Sequence, residues 1–192
     1  MKITNLVDLS VGVPASRIQM AESRSAPVYK IYGQDELEAD LEGVESNGSP
    51  KTIRTIKQVM QLKTGDIVFS LVSGKASLVS QTHAGYLYTQ NYVVLTPSKK
   101  IDSTYLVYLL NEDPDIQKQF WRGLQGSQVM KYTVTLLREL KIKKLPPVDK
   151  QQAIGQIYIN QLRIQALKER IARNEMILRR GQLREINLKW KN

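Results

Sequence analysis

The seven-residue spacing of large aliphatic side chains near the end of the chain constrains its fold more than any other feature. Ile157, Ile164, Ile171 and Leu178 recur at this interval, and Leu167 lies three residues after Ile164. Such a repeat is typical of the apolar seam of a coiled coil. We therefore predict that these five residues cover one face of a helix and form a dimer interface with a second helix.

The segment that carries the repeat is long enough to form a rod. Pro146 and Pro147 end the preceding segment, and Asp149 with Gln152 three residues later forms a capping-box pattern that predicts a helix start. No proline follows, so we expect one helix over residues 148–192. Roughly 40 helical residues extend about 60 Å, too far to bury one stripe against a small domain. The helix therefore needs a partner.

Residues 1–147 have the size and pattern of one mixed domain. Short β-like runs predict strands of a curled sheet or barrel at 28–32, 51–56, 66–72, 76–80, 85–88 and 92–95. Asp102 or Ser103 can cap a following helix, Thr135 a short later one, and residues 141–145 read as a basic edge strand. The expected fold class is α+β: a mixed, largely β domain with short helices, followed by one long coiled-coil-type C-terminal helix.

The charge of the chain is strongly positive and unevenly distributed. The net charge is +10, and two segments carry the excess: residues 46–100 have seven basic and one acidic side chain, and residues 129–192 have fifteen and five. Two separate basic regions indicate a polyanionic partner, and nucleic acid is the first candidate.

Polar side chains accompany the basic ones in the first of these segments and in the loop after residue 123. Lysine and arginine neutralise phosphates, whereas glutamine, serine and arginine can read base edges. We predict contacts with double-stranded DNA from Lys51, Arg54, Lys57, Lys75, Ser80, Gln81, Thr82, His83, Tyr88, Gln125, Ser127 and Lys131.

Most signatures of enzymes are missing from the sequence. The chain has no cysteine and a single histidine, His83, and it lacks both the G-x-x-x-x-G-K-[ST] and the G-x-G-x-x-G patterns. We expect no catalytic residue, no metal site and no cofactor. One alternative stays open, because Asp115, Glu139 and Lys141 fit the loose P-D…E-x-K pattern of Mg²⁺-dependent nucleases.

Targeting signals are also missing. The first residues lack a basic start followed by an apolar stretch, and no apolar run approaches the ~20 residues that span a bilayer. We expect a cytoplasmic protein without membrane contact.

Four motifs in order make the chain resemble the specificity subunit of type I restriction–modification enzymes. They are Leu62-Lys63-x-Gly65-Asp66-Ile67-Val68-x-Ser70; Tyr92-x-Val94-Leu95-x-Pro97 with Tyr105-Leu106-x-Tyr108-Leu109-Leu110; Gly126-Ser127-Gln128; and Leu145-Pro146-Pro147-x-x-x-Gln151-x-x-Ile154. The last motif opens the long helix and is the most specific.

The resemblance implies a non-catalytic subunit with two DNA-reading domains, each for half of a split site, separated by long helices. Such a subunit binds methyltransferase subunits, and the complex also recruits restriction subunits. Those partners hold the catalytic and S-adenosylmethionine sites. This chain has one reading domain (1–147) and one helix (148–192), about half of a usual subunit. We therefore predict a homodimer with antiparallel helices that reads two inverted half-sites. Pairing with another chain, or a coiled-coil DNA-binding regulator without a methyltransferase, are alternatives.

Overall fold

The computed structural model describes residues 1–18, 23, 25–46, 48–57, 59–125 and 131–191. Within these ranges the strands and α-helices follow in the order β1 (Val7–Val11), β2 (Val28–Lys30), α1 (Gln34–Glu42), β3 (Thr52–Arg54), β4 (Ile67–Ser70), β5 (Ala76–Leu78), β6 (Tyr92–Pro97), α2 (Ser103–Glu112), α3 (Pro114–Leu124), α4 (Val134–Glu139) and α5 (Val148–Lys191). The α+β class and the long final helix are confirmed.

An antiparallel four-stranded sheet in the order β1-β6-β4-β5 forms the centre of the domain. Every residue of β4 is buried, as are the first four of β6, because both faces of the sheet are covered. Ile67 and Phe69 pack into a core with α2 and α3. Val68 points the other way, into a second core with Leu37 of α1. The sheet thus lies between two helical layers.

The sequence did not reveal β1, and two strands that it predicted are not formed. β1 pairs with β6 along its whole length. Residues 85–88 contribute isolated bridges rather than a strand, and Leu87 bridges to Ile31 and to Gln61. The expected edge strand at 141–145 is reduced to one bridge between Lys141 and Lys2.

Local capping signals gave the helix starts with mixed success. Of the two predicted caps of α2, Asp102 is the one used, and its Oδ1 accepts from the backbone amides of Thr104 at 2.9 Å and Tyr105 at 3.1 Å. The cap of α4 is Thr133 and not Thr135. α5 begins at Val148, so Asp149 lies in its first turn rather than at the cap position.

α5 has two parts with different surroundings. Its first part lies on α1 and α2, where Gln151, Gly155 and Ala166 are buried and Tyr158 packs against the core. Every residue from 168 to 191 is exposed. These 24 residues extend beyond the domain by about 36 Å at ~1.5 Å per residue. Among the described residues, no helix combines the length and the apolar composition needed to cross a membrane.

Candidate nucleic-acid interface

One group of predicted DNA contacts lies on the side of the domain formed by β2, β3 and the short 3-10 turn Gln81–His83. The turn is fixed beside the segment that follows β3, because the amide of Gly85 donates to the carbonyl of Leu62 at 2.8 Å. Ile31, at the end of β2, connects the two parts: its amide donates to the carbonyl of Lys51 at 2.7 Å, and it bridges to Leu87.

The basic side chains of this group differ in exposure. Lys51 and Lys57 are exposed. Arg54 is half-buried, and its Nη1 donates to the carbonyl of Ala26 at 3.1 Å. Gln81 and Thr82, in the turn, are exposed as well. Together these five side chains offer cations for phosphates and hydrogen-bonding groups for base edges.

A buried carboxylate holds the turn in place. Asp40 on α1 accepts the amide of Ser80 on Oδ1 at 3.2 Å and the hydroxyl of Tyr32 on Oδ2 at 2.8 Å. Nδ1 of His83 lies 2.7 Å from the same Oδ1, and the side chains of His83 and Asp40 are 4% and 1% exposed. Burial raises the pKa of Tyr32, and the charge of Asp40 raises it further. Asp40 therefore anchors the residues on both sides of Gln81 and Thr82.

Two predicted DNA contacts lie in the interior. His83 is 3% exposed and is engaged by Asp40. Tyr88 is 4% exposed, and its hydroxyl lies 3.3 Å from Oγ of Ser10. Neither side chain faces the surface in this structure, which corrects the expectation that they contact DNA. Both side chains serve packing and hydrogen bonding within the domain. Ser80 is half-buried next to the turn.

The remaining predicted contacts belong to a different part of the surface. Lys75 precedes β5 and Ser80 follows it, and five residues of extended chain span about 16 Å. Lys75 lies 3.7 Å from Glu112 of α2. Gly74 lies against the ring of Tyr132, which brings Lys131 to the same region. Gln125, just after α3, is exposed. Ser127 and the motif of residues 126–128 lie outside the described residues.

An acidic face lies on α1. Asp35, Glu38, Glu42 and Glu45 line a surface groove of about 310 Å³. Burial and the neighbouring Glu169 and Glu38 raise the pKa of Glu42. Phosphates are repelled from such a face, so it is expected to point away from DNA. Among the described residues, no group of three or more histidine, aspartate or glutamate side chains could hold a metal ion.

The residues of the nuclease alternative share one open cleft. Asp115, Glu139 and Lys141 line a surface groove of about 500 Å³ between α3 and α4. Lys143 also lines it, and its Nζ lies 2.8 Å from Oδ2 of Asp115. The carboxylate of Asp115 thus has a lysine as its closest charged partner, whereas a Mg²⁺-dependent nuclease needs it for the metal.

The predicted dimer stripe lies on the side of α5 that faces away from the domain. Ile157, Ile164, Ile171 and Leu178 are 69%, 46%, 57% and 62% exposed, and Leu167 is half-buried. Ile157 follows the buried Gly155 by two positions, and two positions correspond to about 200° around a helix with 3.6 residues per turn. The four side chains at seven-residue spacing are therefore accessible, whereas Leu167 is partly covered.

Gln151 has a role that the sequence did not reveal. Its side chain is 1% exposed, and Oε1 accepts the amide of Asp102 at 2.9 Å. Nε2 donates to the carbonyls of Lys100 at 3.2 Å and Pro146 at 2.8 Å. One amide thus ties the start of α5 to the segment before α2. Its place in the motif that opens the helix was a signal, although the motif alone did not give this role.

Comparison with known proteins places the chain in a family. The model of the type I restriction modification DNA specificity domain matches residues 14–173. None of the curated proteins matches. The HsdS subunit from Thermoanaerobacter tengcongensis has a similar structure, with a TM-score of 0.55, 18% identity, and coverage of 90% of this chain and 39% of that one. A structure described for the complex assembly and conformational transition of a type I R-M system gives a TM-score of 0.56, 19% identity, and coverage of 94% and 42%.

These solved structures share the fold of the chain, which spans about two fifths of their length. The family model covers 160 of the 192 residues, including β6, β4 and β5 of the four-stranded sheet but not β1, and the first 26 residues of α5. The chain therefore belongs to the family of type I restriction modification DNA specificity domains.

Proposed function

We propose that this chain is the DNA sequence-specificity subunit of a type I restriction–modification complex and that it contacts DNA through the group around the turn Gln81–His83. The observation that carries this proposal is the exposure of Gln81 and Thr82 on an anchored turn, together with the exposure of Lys51 and Lys57 before and after β3. The lysines would bind phosphates and fix the register, and Gln81 and Thr82 would hydrogen-bond to base edges.

The second group, formed by Lys75, Gln125 and Lys131, supplies further candidate contacts to the DNA backbone. Lys75 and Lys131 lie in the same region of the surface, and Gln125 is exposed after α3. Basic side chains at two places on one domain can hold a duplex at two points.

The proposed assembly is a homodimer whose α5 helices run antiparallel. The exposed stripe on α5 supports this pairing, since it points away from the domain and leaves room for a second helix. A two-fold axis through the helix pair applies one reading surface twice, so the target consists of two inverted half-sites with a gap set by α5.

The proposed partners follow from the family. Methyltransferase subunits, with restriction subunits where present, would supply catalysis and bind S-adenosylmethionine, and the specificity chain would position them on DNA. A specificity domain has no catalytic role of its own, which argues against the nuclease alternative with Asp115. Because the proposed substrate is cellular DNA, the proposed location is the cytoplasm.

Methylation mapping tests this function directly. The chain is expressed with its methyltransferase subunit, and methylated positions in the host DNA are read by sequencing. An inverted-repeat motif is expected. Gln81→Ala and Thr82→Ala should relax the motif at particular positions, since a good base contact contributes about 1–3 kcal/mol of discrimination.

A lysine variant and its matched control separate base reading from backbone binding. Lys57→Gln should weaken binding to all sequences alike and reduce the salt dependence of affinity by about one phosphate contact. Lys118→Gln on α3, outside both groups, should bind as the unaltered chain does. Methylation that is unaffected by Gln81→Ala, Thr82→Ala and Lys57→Gln would refute the interface. A chain that binds DNA but never co-purifies with a methyltransferase would indicate a coiled-coil regulator.

A further inference from the structure

α5 contains two glycines, and the fold accounts for one of them. Gly155 is buried where α2 crosses the helix, and a Cβ atom at this position would lie only 2.5 Å from the backbone amide nitrogen of Tyr105 and closer still to Oγ1 of Thr104. A side chain there would force the two helices apart. Gly155 is therefore the residue that permits a close helix–helix contact.

Gly181 has no such reason within the chain. It is exposed in the helical part that extends beyond the domain, and a Cβ atom there would meet nothing within 4 Å. Glycine weakens a helix interior relative to alanine, and here no packing within the chain offsets that cost.

The helix surface around Gly181 is apolar on the side that precedes it and charged on the side that follows, where Arg184 and Glu185 lie three and four positions away. Leu178 and Ile177 precede Gly181 by three and four positions and are its neighbours, and Leu188 lies on the same face two turns further along. These three aliphatic side chains, Leu178, Ile177 and Leu188, are 62%, 64% and 55% exposed. Gly181 thus forms a shallow hollow at the end of the stripe that begins with Ile157.

We propose that a second copy of this chain packs across α5 at Gly181, with its Ile157–Ile164 segment in the hollow, and that Gly181 permits this close contact as Gly155 does for α2. This inference rests on the proposed homodimer and specifies the contact that brings the two helices together. By symmetry the contact occurs twice, because Gly181 of each copy faces the first part of α5 in the other.

Charge favours this antiparallel arrangement over a parallel one. Residues 163–191 carry nine basic and three acidic side chains, whereas residues 148–162 carry one of each. Parallel helices would place the two basic parts side by side. In an antiparallel pair with Gly181 opposite residues 157–164, residues 163–178 of the two copies face each other. Residues 179–191, with five basic side chains and one acidic, then face residues 150–162 of the other copy, which carry one basic side chain, so the most basic ends are kept apart.

A glycine-to-alanine substitution tests the contact, because its effects on the single helix and on the pair have opposite signs. Gly181→Ala should leave the helix content measured by circular dichroism unchanged or higher. In sedimentation equilibrium, its dimer dissociation constant should be at least tenfold higher than that of the unaltered chain. Asn187→Ala is the matched control: it raises helix propensity nearby, on a different face of α5, and should leave the dimer constant unchanged.

The possible results separate the contact from the pairing. A dimeric chain whose Gly181→Ala variant is equally tight or tighter overturns the contact at Gly181 and leaves the proposed homodimer intact. A wild-type chain that stays monomeric overturns both. The relative orientation of the two helices is tested with Leu178→Cys, which introduces the only cysteine of the chain. A disulfide needs Cα atoms within about 7 Å, so efficient cross-linking between two such chains in the folded dimer overturns the antiparallel arrangement.

Discussion

Replacing Gln151 with alanine should release the start of α5 from the domain. The side chain makes three hydrogen bonds to the backbone of Asp102, Lys100 and Pro146 while only 1% exposed. A hydrogen bond in a folded protein contributes about 0.5–1.5 kcal/mol, and a buried partner left unsatisfied adds to the loss. We expect the free energy of unfolding to fall by about 3 kcal/mol, which for a chain of this length lowers Tm by about 10 °C.

Urea unfolding followed by circular dichroism measures the loss, and hydrogen exchange shows where it acts. The amides of the first turns of α5 should exchange faster, while those of β4 and β6 should follow only the global loss of stability. The free energy of unfolding of Gln151→Glu should fall by nearly as much. A carboxylate can still accept the amide of Asp102, but it faces the two carbonyl oxygens without a hydrogen to donate.

Gln152→Ala is the matched control, since Gln152 is the exposed neighbour of Gln151 on the same helix. Exposed substitutions away from special features usually change stability by less than about 0.5 kcal/mol. If the free energies of unfolding of Gln151→Ala and Gln152→Ala differ by no more than this margin, the side chain of Gln151 does not hold the helix. This explanation of the motif is then refuted.

Three further predictions concern the domain. Asp40→Ala should lower the free energy of unfolding in urea by about 3 kcal/mol or more, because three groups lose their shared hydrogen-bonding partner. Gly74→Ala should lower Tm more than Gly65→Ala: both glycines have positive φ, but a Cβ would strike the ring of Tyr132 only at Gly74. Burial, followed by nearby carboxylates, raises the pKa of Tyr92 from 10.0 to about 12. The stability that the hydroxyl proton provides is therefore complete below pH 10 and is lost as pH rises toward 12. Alkaline unfolding of the unaltered chain and of Tyr92→Phe measures this loss.

Each of these predictions has a contrary result. Unchanged unfolding of Asp40→Ala would show that water replaces the carboxylate at no cost. Equal Tm values for the two glycine variants would show that the ring of Tyr132 moves aside freely. An alkaline transition that is identical with and without the hydroxyl of Tyr92 would show that its proton is not linked to folding.

Local signals in the sequence gave the start of α2 and the extent of α5. The cap of α2 depends on Asp102 and the next three residues, and the extent of α5 follows from its period and the absence of proline. Strand pairing depends on distant residues, which explains the errors in the sheet. β1 finds its partner more than 80 residues away in β6, and Leu87 makes isolated bridges to Ile31 and Gln61, which are equally remote from the local pattern around it.

The candidate interface was predictable in composition but not in arrangement. Residue type alone cannot separate a polar side chain at the surface from one satisfied in the core. The partner of His83 is Asp40, 43 positions earlier and on a different element. Lys75 and Ser80 are close in sequence, yet they lie at opposite ends of β5. The seam on α5 was predictable as a pattern, and the fold added that it faces away from the domain.

The anchoring of the turn by Asp40 has a consequence for conformational entropy. Fixing the backbone of one residue costs about 1–2 kcal/mol, and a free loop would lose this on binding. Here folding has already fixed the residues on both sides of Gln81 and Thr82. Under the proposed function, base reading at the turn then has to order the side chains of Gln81 and Thr82 but not the backbone on either side of them. The supporting residues and the reading residues are also distinct, so Gln81 and Thr82 can be exchanged for others, and a new target acquired, without loss of the fold.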